Sequence, residues 1–189
     1  VRPVRAAYGE AVRRLSMRTR DRRLVLFLGS SIGNLEHAEA TSFLRGMRRV
    51  LRPGDHVLVG FDLVKPLGLL LRAYDDPQGV TRAFNLNLLA RLNRELGASF
   101  NLDAFRHVAT WDPGRPAMES WLEAERAQEV DIAGHRIRLE AGERIHTEIS
   151  CKYTDRQVTE FAASAGYREV GRFADDRRWF VDALWEVPR

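Results

Sequence analysis

The sequence predicts an α/β fold that is interrupted by an inserted segment. Two apolar runs, over residues 24–28 and 56–64, flank an amphipathic segment over 36–51. A strand, a crossover helix and a second strand form a right-handed parallel unit. This pattern is lost after residue 65 and returns near residue 152, where a helix and two strand-like runs follow. We therefore expect an α/β domain with a second region inserted into it.

The first part of the chain has a separate signal for each element. Residues 3–15 space their apolar side chains as a helix does, and a polar connection over 16–23 follows. The run over 24–28 is apolar at every position until Gly29 ends it, which predicts a strand buried on both faces. The helix over 36–51 ends at a Pro-Gly pair, which is typical of a helix stop.

The middle of the chain has a different pattern. Residues 66–79 predict a loop with short helical pieces, and residues 81–97 predict a long helix that Thr81 could cap. The pattern also predicts two short elements of undecided type, over 105–110 and 117–127. A hairpin over 128–132 and 135–139 follows, and then a strand over 144–153.

The last part of the chain predicts a helix and two closing strands. The helix begins at Thr154 and stops at Gly166, and the strands cover 167–173 and 179–187. The predicted division is a first part of the core over 1–65, an inserted region over 66–151, and the rest of the core over 152–189.

Composition narrows the class of protein. The chain has 189 residues, 44% of them hydrophobic, and a net charge of +4. Its single cysteine, Cys151, excludes an internal disulfide and favours a reducing, cytoplasmic setting. The basic cluster over 13–23 could be a nucleic-acid face or a solvated helix with its turn. Because no aromatic side chains alternate with its charges, we expect no nucleic-acid partner. No apolar run is long enough to span a membrane, so we expect no membrane partner. We also expect a monomer.

The turn from Gly29 to Asn34 is the first candidate site. It follows a predicted buried strand, and ligands of open α/β sheets bind at the carboxyl ends of strands. Its small residues would let backbone amides approach a ligand, and Asn34 offers both a donor and an acceptor. The spacing matches neither a dinucleotide fingerprint nor a phosphate loop, so a plain strand-to-helix turn is an open alternative.

Three further polar positions have two interpretations each. Asp62, late in the second strand, could contact a ligand or accept backbone hydrogen bonds. Tyr74 could reach a substrate with its hydroxyl or pack half-buried. Glu148 and Ser150 lie on one face of a predicted strand, where an acid and a hydroxyl could bind a polar heterocycle or an amine, or simply face solvent.

Other kinds of site have no signal in the sequence. The five histidines and Cys151 show no ligand-like grouping, so we expect no metal. No Ser-His-Asp order or other sign of a covalent nucleophile occurs.

Taken together, the candidate segments resemble one family. The segments are Phe27-Leu28-Gly29-Ser30-Ser31-Ile32-Gly33-Asn34-Leu35, Asp62-Leu63-Val64-Lys65, Arg72-Ala73-Tyr74-Asp75-Asp76, Leu92-Asn93-Arg94-Glu95-Leu96 and Thr147-Glu148-Ile149-Ser150-Cys151-Lys152-Tyr153, with Phe105 and His107 between the last two. They resemble, in order from about residue 24 to the end, the S-adenosylmethionine-dependent histidine Nα-methyltransferases of ergothioneine biosynthesis.

The resemblance implies a fold, a cofactor and roles for single residues. It implies the C-terminal half of a class I, Rossmann-like methyltransferase sheet with an inserted α+β substrate-binding domain, and S-adenosylmethionine as cofactor. The reaction would convert L-histidine to trimethylhistidine (hercynine) by three transfers. It implies that Asn34 and Tyr74 bind the substrate carboxylate and that Glu148 and Ser150 bind the imidazole ring. Gly29 and Ser31 would lie near the substrate amine.

One departure from the family concerns the cofactor. The glycine-rich cofactor loop, the acidic ribose-binding residue and an upstream Tyr of the family have no counterpart in these 189 residues. We therefore expect most of the histidine pocket, little of the cofactor pocket, and no activity from this chain alone. The alternatives are an N-methyltransferase for another amino acid, such as tryptophan, and a non-catalytic ligand-binding module.

Overall fold

The computed structural model describes residues 5–15 and 21–189. The start of the predicted first helix, including Val4, and most of the polar connection after it lie outside the described residues. The chain divides into two compact units. Unit 1 comprises Val1–Val64 and Cys151–Arg189, and unit 2 comprises Lys65–Ser150.

The described residues form five α-helices and nine strands, and those elements whose type was predicted follow in the expected order. The helices are α1 (Tyr8–Leu15), α2 (His37–Val50), α3 (Leu67–Tyr74), α4 (Val80–Leu96) and α5 (Asp155–Ser164). The strands are β1 (Leu24–Phe27), β2 (His56–Asp62), β3 (Phe105–Asp112), β4 (Ala117–Ala124), β5 (Gln128–Ile132), β6 (His135–Leu139), β7 (Arg144–Cys151), β8 (Arg168–Ala174) and β9 (Phe180–Glu186). In the described part of the chain, no helix has both the length and the apolar character needed to cross a membrane.

Unit 1 is built on a four-stranded sheet in the order β1-β2-β9-β8. β1 and β2 are parallel, with Leu24 opposite His56 and Phe27 opposite Val59, so the predicted parallel unit is confirmed. β9 is antiparallel to β2 and β8 is antiparallel to β9. The sheet thus has its parallel pair at one side and its two closing strands at the other.

The core of unit 1 lies on one face of this sheet. Phe61 and Trp185 are fully buried, and the Phe161 ring of α5 lies against Phe61 with ring centroids 6.3 Å apart. On β1 the expectation of burial on both faces is wrong, because Leu24 and Leu26 are 58% and 57% exposed. The described helices α2 and α5 pack on the face that carries Phe27 and Phe61, and leave the other face of β1 open.

Unit 2 combines helices with two small sheets. The two short elements of undecided type are strands, β3 and β4, which pair with each other and form a sheet in the order β3-β4-β7. The predicted hairpin is confirmed as β5 and β6, with Ile132 opposite His135. Its turn is formed by Ala133 and Gly134, both with positive φ. The core of the unit is the cluster Leu89, Phe100, Phe105, Leu122, Ala124 and Val130.

The start of α4 corrects one prediction. Thr81 lies inside the helix, and its expected role as the cap is wrong. The Asp76 carboxylate instead accepts hydrogen bonds from the backbone N–H groups of Val80 and Thr81, at 2.9 and 2.8 Å. These bonds favour the charged carboxylate, with Thr81 the main contributor, and lower the pKa of Asp76 to about 2. An acidic residue before the first turn therefore holds this helix start.

Candidate functional site

The turn after β1 is held in a defined shape by hydrogen bonds inside unit 1. Gly29 and Ser30 have φ values of 68° and 55°, and a short 3-10 helix over Ser31–Asn34 follows. The Ser30 hydroxyl accepts the Asp62 N–H at 2.9 Å, and the Gly33 N–H donates to the Ser30 carbonyl at 2.8 Å. The unusual left-handed Ser30 is thereby compensated by contacts to β2 and to the 3-10 helix.

Of the three predicted site residues of this turn, Gly29 and Asn34 are open to a ligand, whereas the Ser31 hydroxyl is bound within the turn. A Cβ built on Gly29 would meet no atom within 4 Å, so the backbone there borders free space. Ser31 uses its hydroxyl to donate to the Leu28 carbonyl at 3.1 Å. Asn34 is exposed, and its side-chain amide forms no hydrogen bond with any of the described residues. The turn therefore offers a free amide group beside accessible backbone.

The segment over 151–153 packs against this turn and forms a hydrogen bond with it. A Cβ on Gly33 would lie only 2.9 Å from the Cys151 carbonyl oxygen. The buried Tyr153 hydroxyl donates to the Ile32 carbonyl at 3.2 Å, and burial raises the pKa of that phenol. Only a residue without a side chain can bring the 3-10 helix this close to the backbone at Cys151.

We expect Gly33→Ala to lower the free energy of unfolding by about 1–3 kcal/mol, because the added methyl group overlaps a backbone atom that cannot rotate away. The measurement is urea unfolding of the chain. Gly46→Ala is the matched control: Gly46 lies inside α2, and its Cβ would meet nothing within 4 Å. That change should stabilise the helix by about 0.5–1 kcal/mol. Equal effects of the two changes would contradict the tight packing of Gly33.

Asp62 pairs with a residue that the sequence did not single out. Its carboxylate lies 3.1 Å from the Lys152 ammonium, and the lysine side chain is 1% exposed. Beside this pair, the Tyr153 N–H donates to the Asp62 carbonyl at 3.0 Å. Asp62 therefore anchors the segment over 151–153 to β2. A lysine next to a strand of site residues was a weak signal, since most lysines are exposed.

Unit 2 brings together two of the residues predicted to bind substrate. Tyr74, the last residue of α3, donates its hydroxyl to the Ser150 hydroxyl oxygen at 2.7 Å. Ser150 lies near the end of β7 and is 6% exposed. Glu148 stands two residues before it on the same strand and is half-buried. Its carboxylate has no hydrogen bond or ion pair with the residues that the structure describes, so an acceptor is available beside a fixed hydroxyl.

A second residue that the sequence did not single out supports Tyr74. The His107 ring lies in β3, is 8% exposed, and its Nε2 is 2.8 Å from the Tyr74 carbonyl oxygen. In the sequence, His107 was marked only by its presence among the residues that resemble the family. Gly29, Ser31 and Asn34 thus lie together in unit 1, and Tyr74, Glu148 and Ser150 belong to unit 2.

The fold and these polar groups define a class. Unit 1 has a parallel strand pair with an open polar turn at its carboxyl end, which is where α/β proteins of the Rossmann type bind small ligands. The chain belongs to the S-adenosylmethionine-dependent, histidine-specific methyltransferase family, whose family model matches residues 1–187. The resemblance of the sequence segments to this family is confirmed.

Individual relatives agree with this family. A histidine N-alpha-methyltransferase of Mycolicibacterium smegmatis is 49% identical over 156 residues, which cover 82% of this chain and 49% of the relative. The enzyme of the same name from Mycobacterium tuberculosis is 45% identical over 163 residues, 85% of this chain and 49% of the relative. Ergothioneine biosynthesis protein 1 of Neurospora crassa is 29% identical over 163 residues, covering 79% of this chain and 17% of that protein. The chain thus spans about half the length of the two mycobacterial relatives.

Proposed function

We propose that the chain supplies the histidine-binding part of an enzyme that transfers methyl groups from S-adenosylmethionine to the α-amino nitrogen of L-histidine. The product would be trimethylhistidine, an intermediate for ergothioneine. The observation that carries the proposal is the half-buried Glu148 carboxylate, which has no partner among the described residues. It stands two residues from Ser150, whose hydroxyl bonds to Tyr74. The names of the mycobacterial relatives support it.

The hydrogen-bonding groups of imidazole match the Glu148 carboxylate and the Ser150 hydroxyl. A neutral imidazole ring has one N–H donor and one bare nitrogen acceptor. We assign the ring N–H to the Glu148 carboxylate and the bare ring nitrogen to the Ser150 hydroxyl, which would turn its proton toward that nitrogen in the complex. Two matched bonds in a half-buried setting favour histidine over amino acids that lack a ring donor.

The chain does not need a covalent nucleophile for this reaction. Methyl transfer to an amine is an in-line displacement by the nitrogen lone pair, so positioning of the amine and stabilisation of its neutral form are the main tasks. We assign the substrate carboxylate to Asn34 and Tyr74, whose phenolic proton would turn from Ser150 to the bound carboxylate, and the neighbourhood of the amine to Gly29 and Ser31.

The turn over 29–34 also fits a contact with the cofactor. S-adenosylmethionine supplies an electrophilic methyl group on a sulfonium. The open space beside Gly29 permits close approach of such a group to the backbone at the carboxyl end of β1. The single cysteine of the chain, Cys151, cannot form an internal disulfide, which supports our proposal that the protein works in a reducing, cytoplasmic compartment.

The test of this proposal is binding of L-histidine by the chain in calorimetric titration, with L-tryptophan for comparison. We expect Asn34→Ala and Tyr74→Phe each to weaken the binding of histidine by about ten- to hundredfold, because each removes a hydrogen bond to a charged carboxylate. Asn101→Ala is the control, since that amide caps a 3-10 helix elsewhere in unit 2. An unchanged affinity in both site variants would refute the assignment of the carboxylate.

A further inference from the structure

The C-terminal end of α3 is held by a histidine side chain. The last carbonyl groups of a helix have no partner within the helix. The carbonyl of Tyr74, the last residue of α3, lies 2.8 Å from Nε2 of His107. A carbonyl oxygen only accepts, so Nε2 must carry a proton and donate it. His107 therefore fixes the backbone of the residue whose hydroxyl bonds to Ser150.

This histidine is poorly suited to a purely structural role. The His107 side chain is 8% exposed, and its Nδ1 has no hydrogen-bond partner among the described residues. In the neutral ring that donates from Nε2, Nδ1 is a buried acceptor without a donor, which is unfavourable. An aliphatic side chain would fill the same space beside Leu122 of β4 without that penalty. The stabilising bond to Tyr74 is therefore partly offset by the cost of the buried Nδ1 acceptor.

We infer that His107 is a positioning residue for substrate recognition, which acts through Tyr74. By holding the end of α3, it keeps the Tyr74 hydroxyl 2.7 Å from the Ser150 hydroxyl, which is nearly buried. A fixed Tyr74 in turn directs the serine toward a ligand. The inference rests on the proposed function and extends the site by a residue that need not touch the substrate.

The experiment compares three substitutions of His107 in the chain, with histidine affinity measured by calorimetry and thermal stability measured in parallel. We expect His107→Leu to weaken histidine binding by about five- to tenfold, while Tm stays unchanged or rises. His107→Gln should restore most of the affinity, because its amide nitrogen reaches the position of Nε2. His107→Asn should not, because its shorter amide reaches only the position of Nδ1.

Two controls separate positioning from structure. Asn93 makes two hydrogen bonds to the backbone of Phe100, at 2.8 and 2.9 Å, within the same unit. Asn93→Leu should lower Tm and leave histidine affinity nearly unchanged. In a Tyr74→Phe background, His107→Leu should cause little further loss, because its effect passes through the missing hydroxyl.

The outcomes distinguish this inference from the function on which it rests. Histidine binding by the unsubstituted chain together with unchanged affinity in His107→Leu would overturn the inference alone. A full additional loss in the Tyr74→Phe background would also overturn it. No histidine binding by the unsubstituted chain would overturn the proposed function, and the inference with it.

Discussion

Glu148→Ala is expected to lower kcat/KM for L-histidine by about a hundredfold, and kcat/KM for L-tryptophan far less. The measurement uses a fusion enzyme, in which this chain replaces the matching half of the Mycolicibacterium smegmatis relative. The ratio of kcat/KM for histidine over tryptophan is determined before and after the change.

The expected loss follows from the environment of Glu148. Its half-buried carboxylate has no partner among the described residues, so a ligand without a ring N–H would leave it unpaired. A site built to accept a hydrogen bond strongly rejects a ligand that lacks the donor. Removal of the carboxylate takes away this discrimination and makes room for an indole.

The control variant removes a glutamate side chain from an exposed position elsewhere in unit 2. Glu129 of β5 is 64% exposed and lies 4.0 Å from Arg136. Glu129→Ala should leave the ratio unchanged. If the ratio does not fall in Glu148→Ala, Glu148 does not recognise the ring, and β7 simply presents a polar face to solvent.

Asp62→Asn is expected to lower the free energy of unfolding by about 3–5 kcal/mol, which is the largest change in stability that we expect. The change removes the carboxylate that faces the Lys152 ammonium at 3.1 Å, where the lysine side chain is only 1% exposed. A buried ammonium without its carboxylate retains the desolvation penalty and loses the compensating attraction. Urea unfolding measures the effect.

The double variant Asp62→Leu with Lys152→Met tests the reason for this loss. It removes both charges and keeps similar volumes, so it should recover most of the stability that Asp62→Asn loses. A double variant that is as unstable as Asp62→Asn would show that the loss does not come from an uncompensated buried charge.

The fold of unit 1 was predictable where the pattern was local. The parallel pair of β1 and β2 follows from two apolar runs and the helix between them. The burial of β1 was not predictable, because an apolar run does not reveal which faces are covered, and Leu26 is exposed. At α4, Thr81 and Asp76 are both residue types that cap helices, and only the geometry of the turn selects Asp76.

The candidate site was predictable only in part. Tyr74, Glu148 and Ser150 were candidates from their places in the sequence, but their roles followed only from the resemblance to a family. The bond between Tyr74 and Ser150 joins positions 76 residues apart. Lys152 and His107 were not assigned roles, because the effect of each depends on a partner distant in sequence, Asp62 and Tyr74 respectively. No local spacing encodes such a contact.

The most direct test of histidine Nα-methylation is the product formed by the fusion enzyme. The enzyme is incubated with S-adenosylmethionine and L-histidine, and the product is analysed by mass spectrometry and NMR. We expect histidine that carries added methyl groups on its α-amino nitrogen, up to trimethylhistidine, and no comparable product from tryptophan. A folded fusion enzyme that methylates tryptophan in preference to histidine, or methylates a ring nitrogen, would contradict the proposed function.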